Sequence, residues 1–222
     1  MRADCEAVFA LFDEIDRTFS VYREESPVSR YRRGERSEQD FSPEERYVWE
    51  QCQKVKAESE GYFDAFYDGQ YDPTGIVKGY AIRRGAELLR VKGYRQYMIE
   101  IAGDGEVGEK NGGRAWRVGI ANPFVKGEII KIVQLKDCGI ATSGLAEHPD
   151  HIINPHTHRP ARTLASMSVI ARDAEEADGL ATAALAMGME GIEYLEKHGY
   201  AAYAVTDDKR GIATKELAKY AV

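Results

Sequence analysis

The feature that most constrains the fold of this chain is a change of hydrophobic periodicity near residue 94. Before that point, apolar residues recur at helical spacing, as in Val8, Leu11, Phe12 and Ile15. After it, short alternating runs are bounded by glycine turns, which is typical of strands. Helical spacing returns near residue 173. Helices that lie beside mostly antiparallel strands indicate an α+β fold, with the sheets flanked by helices.

Capping and turn residues predict where individual elements begin and end. Ser42, Pro43 and Glu45 form a capping-box pattern, so we expect a helix from Pro43 onward. Asp173, followed by Glu176, predicts the start of a helix that runs to about residue 188. Further helices are predicted over 4–17, over about 80–91 after a glycine-rich loop, and in a segment that reaches His198. Strands are predicted over 94–105, 114–123 and 166–171, with two more within 127–143 and a hairpin over 200–217. Residues 18–43 are predicted to form an irregular excursion. The EKNGG segment at 109–113 predicts a hairpin between the first two strands.

Length and composition limit the class of protein. With 222 residues, 43% of them hydrophobic, the chain can bury the core of one large domain or two small ones. The formal net charge of −7 argues against a nucleic-acid partner or an anionic membrane surface. We expect the local basic cluster in the excursion to be solvated; its members are Arg30, Arg32, Arg33 and Arg36.

Cysteine spacing and hydropathy bear on the compartment. Cys5, Cys52 and Cys138 are far apart and form no CxxC pair, so neither a disulfide framework nor a zinc site is expected. No apolar run approaches the roughly 18 residues of a membrane-spanning helix. The N-terminal segment also lacks the uninterrupted apolar stretch of a signal peptide. These features favour a cytoplasmic protein without a membrane span.

The segment DGLATAALAMG at 178–188 combines an apolar helix with two oxygen-bearing side chains. Asp178 and Thr182 are four residues apart, so on a helix they lie one above the other on the same face. A carboxylate and a hydroxyl in this register provide half of a magnesium site, since Mg²⁺ prefers oxygen ligands and phosphate. The alternative is structural: the helix dipole stabilises an N-terminal Asp, and the Thr bonds to its i−4 carbonyl.

Four motifs in order resemble one protein family. They are PTGIVKGYA at 73–81, AGDG at 102–105, GIATSG with HIINPHTHRP within 139–160, and ADGLATAALAMG at 177–188. Together they resemble the FAD:protein FMN transferases, the ApbE family. The segment LFDEIDRTFSVYREESPVSR is similar to the first helix of that family and its Ser-x-Tyr loop. The resemblance covers about residues 8–205.

The resemblance implies an activity and a metal site. The activity is magnesium-dependent transfer of FMN from FAD to a Thr or Ser hydroxyl of an acceptor flavoprotein, with release of AMP. The domain would span 1–222 and hold FAD in a cleft. Mg²⁺ would be bound by Asp178, Thr182 and the backbone carbonyl of Gly75. The first two, with His151, would form the catalytic set.

The resemblance also implies a set of flavin-binding residues. Lys78, in a glycine-flanked turn expected before the helix, would contact FAD; an ordinary surface lysine is the alternative. Asp104 would accept a hydrogen bond from the ribose or adenine; the alternative is that its motif, AGDG, only forms a turn. Thr142 and Ser143 would line the diphosphate. Two further residues would lie near the flavin. His151 would have a pKa suited to proton handling; a structural histidine is the alternative. Tyr22 would stack on the isoalloxazine; the alternative is a tyrosine that is partly buried without a ligand.

Some positions depart from the family pattern. Ala102 replaces the first residue of Gly-Gly-Asp, Asn154 replaces an Asp, His158 replaces a Gly, and Arg83 replaces an acidic residue. We also expect the domain to lack the strand with Met-Gly-Thr that usually precedes the first helix in the family. These changes leave two other functions open: an FAD hydrolase of the same fold, and a non-catalytic module that binds FAD.

Overall fold

The computed structural model describes residues 2–145 and 152–222, and it confirms the α+β fold. The helices are α1 (Arg2–Phe19), α2 (Pro27–Arg32), α3 (Pro43–Glu58), α4 (Thr74–Val91), α5 (Ala174–Met187) and α6 (Met189–Lys197). The strands are β1 (Met98–Ile101), β2 (Asp104–Val107), β3 (Trp116–Ala121), β4 (Ile129–Leu135), β5 (Cys138–Gly144), β6 (Ile153–Asn154), β7 (Arg159–Pro160), β8 (Leu164–Ala171), β9 (Ala201–Thr206) and β10 (Gly211–Ala213). No helix formed by the described residues has the length and apolar character needed to cross a bilayer.

The main sheet is antiparallel and has the strand order β1-β2-β5-β8-β9-β10. β3 and β4 form a separate two-stranded sheet, as do the short strands β6 and β7. The hairpin predicted at EKNGG is therefore wrong, because β2 pairs with β1 and β5 and not with β3. The β1–β2 turn is instead made by Ala102 and Gly103, whose φ angles of 50° and 91° are those of a tight two-residue hairpin turn.

Two predicted helix starts are confirmed by their caps. The Ser42 side chain accepts a hydrogen bond from the Glu45 amide, and the Glu45 carboxylate accepts one from the Ser42 amide. Asp173 Oδ1 accepts from the Glu176 amide at 2.9 Å. In each case the side chain satisfies an amide that the first helical turn leaves unpaired. The predicted excursion over 18–43 is partly helical, since it contains α2.

Helix α4 begins at Thr74, six residues before its predicted start, so Lys78 lies within a helix and not in a turn before one. The glycines that suggested a turn serve close packing. A Cβ atom on Gly79 would lie 2.3 Å from the Ala174 carbonyl oxygen, and one on Gly75 would lie 3.0 Å from Phe63. The two helices α4 and α5 therefore approach at glycine positions, and this contact outweighs the low helix propensity of glycine.

Helix α5 is the central layer of the molecule. It packs against α4 on one side and against β5 and β8 on the other. Its small side chains allow both contacts; those with no measurable exposure are Ala174, Ala177, Ala181, Ala183 and Ala184. The opposite face of the sheet is covered by β3, β4 and Leu217 of the C-terminal 3₁₀ turn. The sequence predicts α5 as a helix with two oxygen-bearing residues, and the fold buries that helix at its centre.

Candidate active site

A cavity of about 840 Å³ opens where α4, α5, β3 and β5 meet. It brings together residues that are far apart in sequence. Six predicted site residues line it: Gly75, Lys78, Thr142, Ser143, Asp178 and Thr182. A volume of this size is ample for a large organic ligand with several polar contacts.

The Thr182 hydroxyl oxygen lies close to two other oxygen atoms, one from Gly75 and one from Ser143. This hydroxyl donates to the Gly75 carbonyl oxygen at 3.3 Å, and its Oγ1 lies 3.1 Å from Ser143 Oγ. Gly75 permits this approach, because a Cβ atom there would lie 3.2 Å from Thr182 Cγ2. The structure therefore brings Gly75 and Thr182 into direct contact.

Asp178 lies one helical turn before Thr182 and is only 4% exposed. Its Oδ2 accepts a hydrogen bond of 2.8 Å from the Gly79 amide. Burial, and to a lesser degree the negative charge of Asp104, raises the pKa of Asp178 to about 7, against the opposing effect of Lys78. The carboxylate is therefore costly to ionise unless a further positive charge compensates it.

Lys78 and Asp104 form an ion pair behind the cavity wall. Lys78 Nζ lies 2.9 Å from Asp104 Oδ2, and Asp104 Oδ1 accepts from the Thr142 amide at 2.8 Å. Burial raises the pKa of Asp104, while Lys78 and the Thr142 amide oppose that rise. Because Asp104 has no exposed surface and does not line the cavity, it does not offer its carboxylate to a ribose or adenine in this conformation. Its role here is to hold Lys78 and the β5 backbone.

Three predicted residues remain, and they differ in where they lie. Thr142 lines the cavity, and its hydroxyl lies 2.8 Å from Ser168 Oγ. Tyr22 is 91% exposed and is not a lining residue of the cavity. His151 lies outside the described residues, so its predicted role stays a prediction.

Two departures from the family pattern fall at unusual backbone positions. Ala102 has φ 50° and His158 has φ 53°, both in the left-handed region that glycine adopts without strain. Each stands where the resemblance implies a glycine, and each adopts the left-handed conformation at the cost of backbone strain. Asn154 uses both ends of its amide: Oδ1 accepts from the His156 and Thr157 amides, and Nδ2 donates to the Ala186 carbonyl.

The fourth departure, Arg83, belongs to a buried polar group that the sequence did not reveal. Arg83 Nε lies 2.5 Å from Glu175 Oε2, and the Tyr47 hydroxyl donates to Glu175 Oε1 at 3.0 Å. The Arg83 guanidinium also lies over the Tyr47 ring, 5.3 Å from its centroid. Burial raises the pKa of Glu175, and Arg83 opposes the rise. This group joins α3, α4 and α5 three residues before Asp178.

Sequence reasoning also missed part of the cavity wall. Strand β3 and the loop before α4 contribute Tyr62, Phe63, Tyr67 and Val118–Asn122. None of these segments carries a local signal of binding. Their role follows only from long-range packing. Within residues 2–145 and 152–222, no three His, Cys, Asp or Glu side chains are grouped as metal ligands.

The sequence is similar to those of known FAD:protein FMN transferases. A FAD:protein FMN transferase from Haemophilus influenzae is 30% identical over an alignment of 162 residues, and the match covers 67% of this chain and 47% of that protein. One from Escherichia coli is 32% identical over an alignment of 149 residues, and the match covers 62% of this chain and 42% of that protein. The chain therefore spans about half the length of the curated relatives that it matches.

Solved structures confirm the fold. The flavin transferase ApbE from Vibrio cholerae has a TM-score of 0.85 at 22% identity, covering 99% of this chain and 90% of that one. An ApbE protein from Thermotoga maritima has a TM-score of 0.88 at 20% identity, covering 100% and 92%. The sequence profile of the ApbE family matches residues 2–69 and 68–204, which is most of the chain. The chain therefore belongs to the ApbE family.

Proposed function

We propose that this protein transfers FMN from FAD to a Thr or Ser hydroxyl of an acceptor flavoprotein, with Mg²⁺ bound at the site and AMP released. The observation that carries the proposal is the convergence of Gly75, Lys78, Asp178 and Thr182 on one cavity. The curated relatives, which are named FAD:protein FMN transferases, support the same activity. A family member that retains these four residues has the groups needed to bind and polarise a diphosphate.

The residues present fit a magnesium ion. Asp178, the Thr182 hydroxyl and the Gly75 carbonyl offer oxygen atoms only, which is the donor type that Mg²⁺ takes together with water and phosphate. The buried Asp178 carboxylate also needs positive charge, since burial raises its pKa to about 7. Bound there, Mg²⁺ would supply Lewis-acid polarisation of the FAD phosphoryl group. These three residues would hold it.

The protein's own groups then bind and orient the diphosphate. The Lys78 ammonium, fixed by Asp104, provides a positive charge at the cavity wall. Thr142 and Ser143 add hydroxyls on β5. Such positioned positive and hydrogen-bonding groups account for most of the catalysis in phosphoryl transfer.

The proposed reaction exchanges one phosphorus–oxygen bond for another. The acceptor hydroxyl oxygen bonds to the FMN phosphorus, and the anhydride bond to AMP breaks. AMP leaves with the electrons of that bond. The acceptor hydroxyl also loses its proton. His151 is predicted from the resemblance to lie near the flavin and its phosphate and is suited to proton handling, so it is the group we propose to take that proton.

Mass spectrometry tests the proposal directly. The protein is incubated with FAD, MgCl₂ and an acceptor domain that carries a flavinylation site, and the acceptor is weighed. Attachment of FMN as a phosphoester adds about 438 Da. Rapid release of AMP and FMN without any acceptor gain would instead identify an FAD hydrolase. Binding of FAD with neither outcome would identify a binding module.

A further inference from the structure

Strand β3 presents its backbone edge, rather than one face, to the cavity. The consecutive residues Val118–Asn122 all line the cavity. Successive residues of a strand point to opposite faces, so a cavity that touches all of them runs along the strand's edge. Among the described residues, β3 pairs with β4 and with no other strand. Its second edge therefore faces the cavity without a ladder partner from residues 2–145 or 152–222.

The hydrogen-bonding direction along β3 can be read from its end. The Asn122 amide donates to the Glu128 carbonyl, on the β4 side. Successive amides along a strand point to opposite edges, so the Ile120 amide also points toward β4. The Gly119 and Ala121 amides therefore point away from β4. The register shift in this ladder adds its extra residue, Ile130, to β4, so the alternation along β3 is uninterrupted. Gly119 and Ala121 are also exposed.

The central part of this edge carries none of the residues that normally protect edge strands. Val118–Ala121 contains neither a charged residue nor a proline, whereas Arg117 precedes this stretch and Pro123 follows it. Large apolar side chains are exposed beside it: Phe124 is 39% exposed, Val125 49% and Ile129 51%. An unprotected edge next to exposed apolar side chains is typical of a surface that another polypeptide covers.

We propose that the acceptor protein docks here as an extended segment, with the Thr or Ser that receives FMN, by adding a strand to the free edge of β3. This inference rests on the proposed function. The acceptor is the one substrate with a peptide backbone, so it alone can form a ladder with this edge. An extended segment would point alternate side chains inward, toward the cavity that Thr182 and Asp178 line.

A second copy of the chain is the less suitable occupant. Pairing of two β3 edges would cover the mouth of the cavity in both copies. The acceptor, in contrast, must enter that mouth for the reaction to occur. The edge therefore fits a transient peptide partner better than a permanent subunit.

Proline scanning of the edge tests the docking mode. Ala121→Pro removes one outward amide and keeps the β4-directed amides of Ile120 and Asn122. Ala213→Pro is the matched control: it lies on the outer strand β10, and because the Thr214 amide donates to the Ala202 carbonyl, the Ala213 amide points away from β9. No residue of β10 lines the cavity.

The expected result is a loss confined to the acceptor. Ala121→Pro should lower kcat/KM for an acceptor peptide by about tenfold or more, the scale of one or two lost backbone hydrogen bonds, with FAD affinity unchanged. Ala213→Pro should match wild type. N-methylation of the acceptor peptide tests the same ladder without altering the protein: amides at every second position should matter, and those between them should not.

The possible outcomes separate this inference from the proposed function. If wild type attaches no FMN to any acceptor, the proposed function fails first. If wild type transfers FMN but Ala121→Pro and the N-methylated peptides react normally, edge docking is overturned. It is also overturned if Ala121→Pro weakens FAD binding to the same extent, or if it converts a dimer to a monomer.

Discussion

Replacing Asp178 by Asn should stabilise the metal-free protein while removing its response to magnesium. Asn has nearly the same volume as Asp, and its carbonyl oxygen can accept the hydrogen bond from the Gly79 amide. The substitution therefore removes a buried negative charge and little else. If Asp178 only supported the fold, replacing it would be expected to lower the stability of the protein.

The size of the effect follows from the pKa of Asp178. Its ordinary value of 3.8 rises to about 7 in the folded protein, chiefly through burial. Between these values the folded state holds a proton that the unfolded state has lost, so the free energy of unfolding falls as pH rises from about 4 to about 7. At about 1.4 kcal/mol for each pH unit, ionised Asp178 costs about 4 kcal/mol above that range. The advantage of Asp178→Asn over wild type should therefore grow by roughly 2–3 kcal/mol between pH 5 and pH 8.

Denaturant unfolding at several pH values, in EDTA and in MgCl₂, measures both effects. In EDTA the variant should be more stable than wild type, and most clearly so at pH 8. Magnesium at ten times its dissociation constant should stabilise wild type by about 1.4 kcal/mol and leave the variant unchanged. FMN transfer should fall at least about a hundredfold, since metal stabilisation of phosphoryl charge is worth several kcal/mol.

Asp13→Asn, the same chemical change at an exposed position of helix α1, controls for the substitution itself. A stability difference between Asp178→Asn and wild type that does not change with pH would refute the charge-burial argument. Equal stabilisation of both proteins by magnesium would refute the assignment of Asp178 as a metal ligand.

Three further changes probe other parts of the molecule. Ala102→Gly should raise the free energy of unfolding by about 0.5–1 kcal/mol, because glycine adopts the φ of 50° at this position without strain. A lower free energy of unfolding for the variant in denaturant titrations would contradict this. Glu175→Ala should lower it by about 3 kcal/mol by leaving Arg83 half-buried without its carboxylate, an effect that Arg83→Met should partly reverse. Thr182→Val should lower FMN transfer by at least about tenfold with an unchanged unfolding curve, since one oxygen ligand is lost.

Local signals in the sequence predict the elements whose ends are set by their own residues. The caps at Ser42 and Asp173 satisfy amides within three residues, so the starts of α3 and α5 can be read directly. The start of α4 could not be read in this way. Its glycines resemble turn residues, and their function depends on Ala174, about one hundred positions away.

The candidate site shows the same division. Asp178 and Thr182 are predictable as a pair because the helix places them on one face. The burial of Asp104 is not predictable from AGDG, since the motif looks like an exposed turn and only the pairing of β2 with β5 places its carboxylate under Thr142. The Arg83–Glu175 pair likewise joins two helices that are distant in sequence.

The charges around Asp178 explain why this centre suits a cation. Asp104 and Asp178 contribute two buried negative charges, and Lys78 contributes one positive charge, which leaves one negative charge uncompensated in the metal-free protein. The nearby Glu175 does not change this balance, because Arg83 neutralises it. Below about pH 7 a proton on Asp178 removes the excess. Above it, a bound cation is the remaining means of compensation, so protons and magnesium should compete for Asp178 and metal affinity should rise with pH through that range.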